Sequence, residues 1–447
     1  MPKSEDVPAC PTIPDVSNTR CESREYHIEL VTPMFGGGVE PRTSDPTFPI
    51  RPTAIRGQLE FWWRATVGAQ YTALAELRAA QSDIWGSIQR ASRVDVLVDP
   101  IKWDNPMACA RYEMNLRQPE KYRSMPSWNP PFRDTSLPYV LFPFQGQLRR
   151  GYTAVEVEPA ACIPQASFRL VIRCPKELWP QVEPALWAWV NFGGLGSRTR
   201  RGCGAIFCRE VAPRDCDDLF QLCKPFVQNA PAPRDWPTLA AAILVGGKQP
   251  NAIAAWDHVI ERFRQFRQGV GLGRNQGQQQ NRPGRSRFPE PETIRRVTGQ
   301  RFRRHARLSH IPDNAFPRAE FGLPIVFHFK DHRDGDPANT VLYPSHGPDG
   351  KPRERMASPL ILKPLALANQ KAVPLILRLK TPDLAGVDLR QKEQDREPSL
   401  PLPRPTHIRG AALARYKDSP LARSPNGSAL EAFLEYALTE GFRKVNR

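Results

Sequence analysis

No stretch of these 447 residues is long and apolar enough to cross a bilayer, and neither a lipidation motif nor a clear basic amphipathic helix is present. A membrane is therefore not an expected partner. The first 21 residues are polar and proline-containing and lack an apolar signal core, so a cytoplasmic location is expected. Nine cysteines, an odd number scattered over a large chain, do not resemble a secreted disulfide framework. Cys203, Cys208, Cys216 and Cys223 lie close enough to raise a zinc site, but paired CxxC knuckles are missing and Cys208 falls on a predicted strand. No metal or other cofactor is expected. The glycine-rich stretch has no Gly-Lys-Ser/Thr ending, which removes support for a nucleotide hydrolase. Carboxylates are also in short supply: 46 Asp and Glu face 63 Lys and Arg, for a net charge of +17. With a pI near 9.7 and arginine dominating the cations, the composition favours a nucleic acid or another polyanion.

The most informative segment that is present runs from Asn191 to Gly204, NFGGLGSRTRRGCG. Glycine permits positive φ and close approach of a ligand to the backbone, while exposed amides and arginine forks match anionic oxygens. In a dinucleotide fold the glycines follow a strand and open a helix. Here they follow the apolar stretch Leu178 to Val190 and precede Ala205 to Cys208, which predicts helix, loop, strand, the reverse order. Two readings are open: a glycine C-cap with a solvated turn, or a phosphate-gripping loop in which Arg198, Arg200 and Arg201 contact RNA or DNA.

A chain of this length holds about two or three domains. Hydrophobic periodicity predicts strands over 25–31, 91–98, 167–174 and 205–211, with helices over 53–70 and 178–192. The class is α+β and the order βαββαβ, the ferredoxin-like (RRM-like) arrangement of many RNA-binding modules, preceded by a tail over 1–24 and closing near 212. An insertion over about 99–166, rich in Pro, Trp and Arg, separates the central strands, with a possible strand piece at 139–144. On the first helix Ile55, Leu59 and Trp62 share a core face; Arg56 and Trp63 fall opposite. Trp63 is open to two uses, stacking a base or packing under the insertion. The remainder, 213–447, predicts a helical region over 236–268, strands over 321–330, 359–365 and 375–379, and a helix over 428–440. A basic Gly/Gln/Pro/Arg segment over 269–307 reads either as a solvated linker or as an RNA-binding element.

The series TPMFGGG (Thr32–Gly38), IRPTAIRGQLEFWWR (Ile50–Arg64), DIWGS (Asp83–Ser87) and NFGGLGSRTRRGCG closely resembles the first-numbered subunit family of the Cmr, or type III-B CRISPR, effector complex. That family belongs to the repeat-associated mysterious protein (RAMP) superfamily. The resemblance continues, more weakly, through Arg285-Ser286-Arg287-Phe288-Pro289, Ala319 to Pro324 and Ala357 to Lys363, and so covers most of the chain. It implies tandem ferredoxin-like domains with insertions, the second within 213–447. It also implies a non-catalytic role in holding the 3′ region of the crRNA and the paired target RNA beside other Cmr subunits, as part of antiviral RNA interference.

The candidate RNA contacts are Arg51, Arg56, Trp63 and Arg64 around the first helix, Gly194, Gly196, Ser197, Arg198, Thr199, Arg200 and Arg201 in the loop, and Arg285 and Arg287 in the basic segment. Two other functions compete. An endoribonuclease would draw on Asp45, His27 and Tyr26, although one acid or one histidine does not assemble an active site. A mainly protein–protein scaffold would use Trp63 as an interface anchor.

Overall fold

The computed structural model describes residues 21–227, 234–268, 288–304, 315–329, 331–345, 353–369, 371–384, 386–391, 420–424 and 426–445. Most of the basic segment, Arg285 and Arg287 included, lies outside these residues, as does all of the expected N-terminal tail except 21–24.

The first half is built from β1 (Cys21–Leu30), α1 (Pro52–Ala65), α2 (Leu74–Trp85), β2 (Asp95–Trp103), β3 (Ala166–Pro175), α3 (Trp179–Phe192) and β4 (Ile206–Cys208). Its four strands pair antiparallel in the order β4-β1-β3-β2. Alternation sets the faces: Tyr26, Ile28 and Leu30 of β1 point into the core, while Glu25, His27 and Glu29 point away. Pro52 opens α1 where no N–H is needed, and Thr66 closes it by donating its hydroxyl to the Trp62 carbonyl at 2.7 Å.

The second half consists of α4 (Cys216–Val227), β5 (Thr238–Val245), α5 (Ala252–Gln268), α6 (Glu290–Thr298), β6 (Ile325–Phe327), β7 (Thr340–Pro344), β8 (Leu360–Ala366), β9 (Ala372–Lys380), β10 (Val387–Gln391), α7 (Ala429–Thr439) and β11 (Arg443–Lys444). Its main sheet has the order β11-β5-β9-β8, again antiparallel. Counting only this sheet's strands in chain order, that is fourth, first, third, second, the same order as in the first half. A small sheet, β6-β7-β10, sits apart on its own apolar cluster.

The two halves stack as sheet, helices, sheet, helices. One core joins the inner face of the first sheet to α1 and α3 and then to Ile243, Leu375 and Leu377 of the second sheet. A second core joins the other face of that sheet, through Leu244, Leu362 and Ile376, to Trp256 and Phe263 of α5 and Phe433 of α7. This placement explains α3, which is buried from Ala185 to Phe192 on every side because it lies between two sheets. Trp62, Trp63 and Trp189 are fully buried in or beside this middle layer, each gaining roughly 4–6 kcal/mol of gross apolar burial at about 25 cal/mol per Å².

Several expectations need correction. The second strand lies at Asp95–Trp103, four residues later than its periodicity suggested, because helix α2 and its glycine exit at Gly86 occupy the preceding stretch. The piece at 139–144 is a short helix, Pro138–Leu141, followed by a 3₁₀ turn. The region expected to be helical from 236 begins with strand β5, whose apolar run is buried on both faces and so lacks strand alternation. Within the basic segment, 290–298 is helix α6, where Arg295 pairs with Asp336 at 2.8 Å.

Candidate nucleic-acid interface

The glycine loop is a folded clasp. Gly204 donates its N–H to the Pro33 carbonyl at 2.9 Å, and Ser197 donates its N–H to the Phe35 carbonyl at 2.8 Å. Thr32 donates its hydroxyl to the Gly202 carbonyl at 2.7 Å and accepts from the Ala205 N–H at 2.8 Å. The turn after β1 and the loop before β4 thus meet at one end of the first sheet. The glycines are required by this contact. Gly196 has φ +74° and a Cβ there would stand 2.3 Å from the Phe35 oxygen; at Gly204, φ +63°, it would stand 1.9 Å from the Leu195 oxygen. At Gly194 a Cβ would stand 2.6 Å from the Gly204 oxygen. Their first role is therefore close packing of the loop on itself and on 33–35.

The three loop arginines diverge. Arg200 donates to the Ser358 carbonyl, and Arg201 donates to Leu360 at 2.7 Å and to Phe321 at 3.3 Å. Both therefore hold the second half, with Thr199 in the same 3₁₀ turn. Trp256 Nε1 returns a bond to the Arg201 carbonyl at 2.7 Å. In the opposite direction, Lys363 of β8, 1% exposed, donates to the carbonyls of Gly193 at 2.8 Å and Val190 at 3.3 Å, capping α3. Burial pulls the Lys363 ammonium down to about 7. Of the three arginines expected to contact phosphate, Arg200 and Arg201 have guanidinium groups engaged with backbone carbonyls of the second half.

Arg198 is different. It adopts φ +58° and lies near the face of Phe144, and among the described residues its buried Nε has no hydrogen-bond acceptor. It opens into a cleft of about 670 Å³ between the 104–165 insertion and the second half. Arg201, Arg264, Arg267 and Arg318 share the lining with Trp128, Tyr139 and Phe142. Arg264 is paired with Glu261 at 2.7 Å and Arg318 with Glu290 at 3.0 Å. Among the described residues Arg198, Arg201 and Arg267 make no ion pair with a carboxylate. Burial lowers the pKa of each, and Arg201, pressed further by Arg198, Arg267 and Arg200, falls to about 9. Clustered guanidinium groups without counter-charge are costly in a protein interior and favour an anionic ligand. Phe142, 61% exposed, and Met125, 63% exposed, give the mouth an apolar rim.

The other sequence candidates scatter. Trp63 is fully buried, its Nε1 on Gln181 at 3.1 Å, so its ring is core and neither a base platform nor a surface anchor. Arg56 donates to the Val94 carbonyl at 3.0 Å, and Arg64 to Gln81 at 3.1 Å, both bracing α1 against its neighbours. Arg51 stands 3.4 Å from Asp45, whose carboxylate accepts from the N–H groups of Thr47 and Phe48; these bonds hold its pKa below the usual range. Tyr26 is a core side chain whose phenol burial pushes up to about 12, and His27 is exposed on the sheet, 3.5 Å from Glu210. The thiols of Cys203, Cys208, Cys216 and Cys223 are all buried. Sequence reasoning missed Arg264, Arg267 and Trp128. The run ERFRQFRQ at the end of α5, arginine interleaved with phenylalanine, was the available signal for the first two. No local pattern marks Trp128, which tertiary folding brings to the cleft.

Among the described residues no helix is long and apolar enough to cross a membrane. Residues 27–207 match the sequence model of the RAMP superfamily. Two Pyrococcus furiosus proteins are similar in sequence. CRISPR system Cmr subunit Cmr1-1 is 26% identical over 172 residues, covering 38% of this chain and 44% of that protein. CRISPR system Cmr subunit Cmr1-2 is 25% identical over 190 residues, covering 40% of this chain and 92% of that protein. The match thus spans less than half the length of Cmr1-1. The crystal structure of Pyrococcus furiosus Cmr1 in its apo form aligns over 95% of this chain and 99% of its own, at a TM-score of 0.50 and 16% identity, a likeness of fold. The glycine clasp and the strands of the first sheet lie within or beside residues 27–207, the part of the chain that matches the RAMP superfamily model.

Proposed function

We propose that the chain is a non-catalytic RNA-binding subunit of a type III-B Cmr ribonucleoprotein in the cytoplasm, holding the 3′ region of the crRNA and the paired target RNA beside other Cmr subunits. The observation that carries this reading is the cleft beside Trp128 and Tyr139 in which, among the described residues, Arg198 and Arg201 make no ion pair with a carboxylate and Arg267 has a hydrogen bond to Tyr139 and only the longer-range attraction of Glu290. Phosphates would supply the missing anions and unstacked bases the aromatic contacts, while base pairing within the guide duplex supplies sequence choice. The repeated strand order of the two main sheets supports two tandem ferredoxin-like domains. The Asp45 carboxylate, occupied by its own turn and by Arg51, supports positioning over cleavage.

The test is binding of fluorescent single-stranded RNA across a salt series. Arg264→Ala and Arg267→Ala should each weaken binding and lower the slope of log K against log salt by about 0.7 per lost phosphate contact. Unchanged affinity and slope in folded variants remove the cleft from the RNA path. Cutting of the RNA by the purified chain, abolished by His27→Ala or Asp45→Asn, establishes a nuclease instead.

A further inference from the structure

Among the described residues, the four-layer stack leaves one sheet face without a cover. The second sheet is buried on both sides, between α1 and α3 and the pair α5 and α7. The first sheet is a terminal layer. Its helix-free face is open, and Leu97 and Ile101 on its edge strand β2 are 57% and 58% exposed. Cross-strand register fixes what surrounds them: Leu97 stands opposite Val171, which stands opposite Glu25, and the flanking rows hold Asp95 opposite Arg173 and Asp99 opposite Arg169. Arg169 is already spent, bridging Glu25 at 3.3 Å and Asp99 at 2.7 Å. With Glu29, four carboxylates occupy this face against Arg169, Arg173 and, at the end of the strand, Lys102. In a chain of net charge +17 it is a surface on which acids outnumber bases.

That composition is wrong for RNA. Sheet-face RNA binders present aromatic rings for stacking and cations for phosphate, whereas here the most exposed apolar groups are aliphatic, Leu97 between Asp95 and Asp99 and Ile101 two residues beyond Asp99. It fits a protein surface in which lysine or arginine flanks apolar side chains, which would cover Leu97 and Ile101 and give Asp95 and Glu29 partners. We infer that the open face of the first sheet is the docking surface for a neighbouring protein subunit of the same assembly, one that presents a basic rim around an apolar centre. This rests on the reading of the chain as a subunit of a ribonucleoprotein. It assigns protein contact and RNA contact to different regions: the partner on the terminal sheet, the RNA in the cleft between the insertion and the second half.

The experiment is co-expression of the full chain with the other subunits of the complex, followed by purification through one of those subunits. Leu97→Asp combined with Ile101→Asp, and separately Asp95→Lys, should each reduce incorporation at least tenfold. The isolated variants should keep their melting temperature and RNA affinity, since all three residues are exposed on the open sheet face. In the wild-type complex, zero-length carboxyl-to-amine crosslinking should join Asp95, Glu25 or Glu29 to a lysine of an adjoining subunit. If wild type incorporates and both variants incorporate equally well, the docking surface is wrong and the assembly reading stands. Failure of the wild-type chain to join the complex refutes the assembly reading and this inference with it. Loss of RNA affinity in the isolated variants would give the face to RNA, and wild-type self-association abolished by Leu97→Asp would give it to a second copy of the chain; both overturn the proposal.

Discussion

Replacing Arg198 by Asn should make the free protein no less stable and its RNA binding weaker. Arg198 holds a left-handed backbone conformation, φ +58°, which costs a non-glycine residue about 1–2 kcal/mol and which asparagine tolerates better than arginine. Its Nε is buried without an acceptor, and its charge depresses the pKa of Arg201. Removing the guanidinium therefore relieves strain, an unmet donor and a like-charge contact together, while forfeiting a loose contact with Phe144 at 5.9 Å and the favourable proximity of Cys203. The expected stability change lies between zero and a gain of about 1 kcal/mol, read as a shift of the urea midpoint at constant m. A charge-assisted bond to phosphate is worth about 1.5–3 kcal/mol, so RNA affinity should fall roughly 10- to 150-fold. Arg201→Met is the opposing control. It leaves the Leu360 and Phe321 carbonyls without their donor, at about 1–3 kcal/mol for each acceptor that stays buried and unpaired. Relief of its crowded charge offsets part of that, so the net sign is destabilising and the effect falls on the junction between the halves. If Arg198→Asn lowers stability while binding is unchanged, the argument from unpaired charge fails, and Arg198 is a packing residue.

Three further outcomes can be checked on the same preparations. The Lys363 ammonium, pulled down to about 7 in the fold from an ordinary 10.5, binds fewer protons folded than unfolded between those values, so its penalty is fully present below pH 7 and relieved as pH rises. Lys363→Met should accordingly flatten the rise of stability across pH 7 to 10.5, by up to about 1.4 kcal/mol per pH unit, measured as the wild-type minus variant difference in chemical denaturation. Gly204→Ala should cost about 2–5 kcal/mol by addition of left-handed strain and overpacking, because its Cβ meets fixed backbone at 1.9 Å; a well-folded variant with an unshifted melting temperature contradicts the clasp. Trp63→Ala should cost about 3–5 kcal/mol in stability. RNA affinity measured on the folded fraction should not change, and a specific loss of affinity there would return Trp63 to the binding surface.

How much was legible in the sequence depended on how many faces each segment shows to solvent. β1 and β3 have one open face, so their alternating residues announced them to within a few residues. α1 was legible for the same reason, with Ile55, Leu59 and Trp62 at helical spacing. Trp63 misled because the far side of α1 is also covered, by the turn through Tyr71 and by α3 with its Gln181. β5 is buried on both faces and carries no period to distinguish strand from helix, so the sequence did not separate it from the helical region within 236–268. The loop was located correctly and its residues understood only in part. Glycine spacing and arginine density predicted a tight turn rich in cations, but no local signal states that Arg200 and Arg201 meet carbonyls more than 100 residues away.

That division of labour follows from where the loop sits in the stack. It leaves the C-terminal end of α3, the helix held between the two sheets, so any side chain projecting from it meets either the second half or the solvent edge between the halves. Arg201 and Arg200 take the first course, and Lys363 answers from the opposite side by capping the helix that feeds the loop. Arg198 takes the second, and the insertion, through Tyr139 and Trp128, builds the facing wall of the cleft it enters. The junction that binds the halves together and the cleft that lacks counter-charge are thus formed by consecutive residues of one turn. A substitution that loosens the junction must therefore move the cleft, whereas one confined to Arg198 or Arg264 can empty the cleft and leave the junction intact, and this is why stability and affinity have to be measured on the same variants.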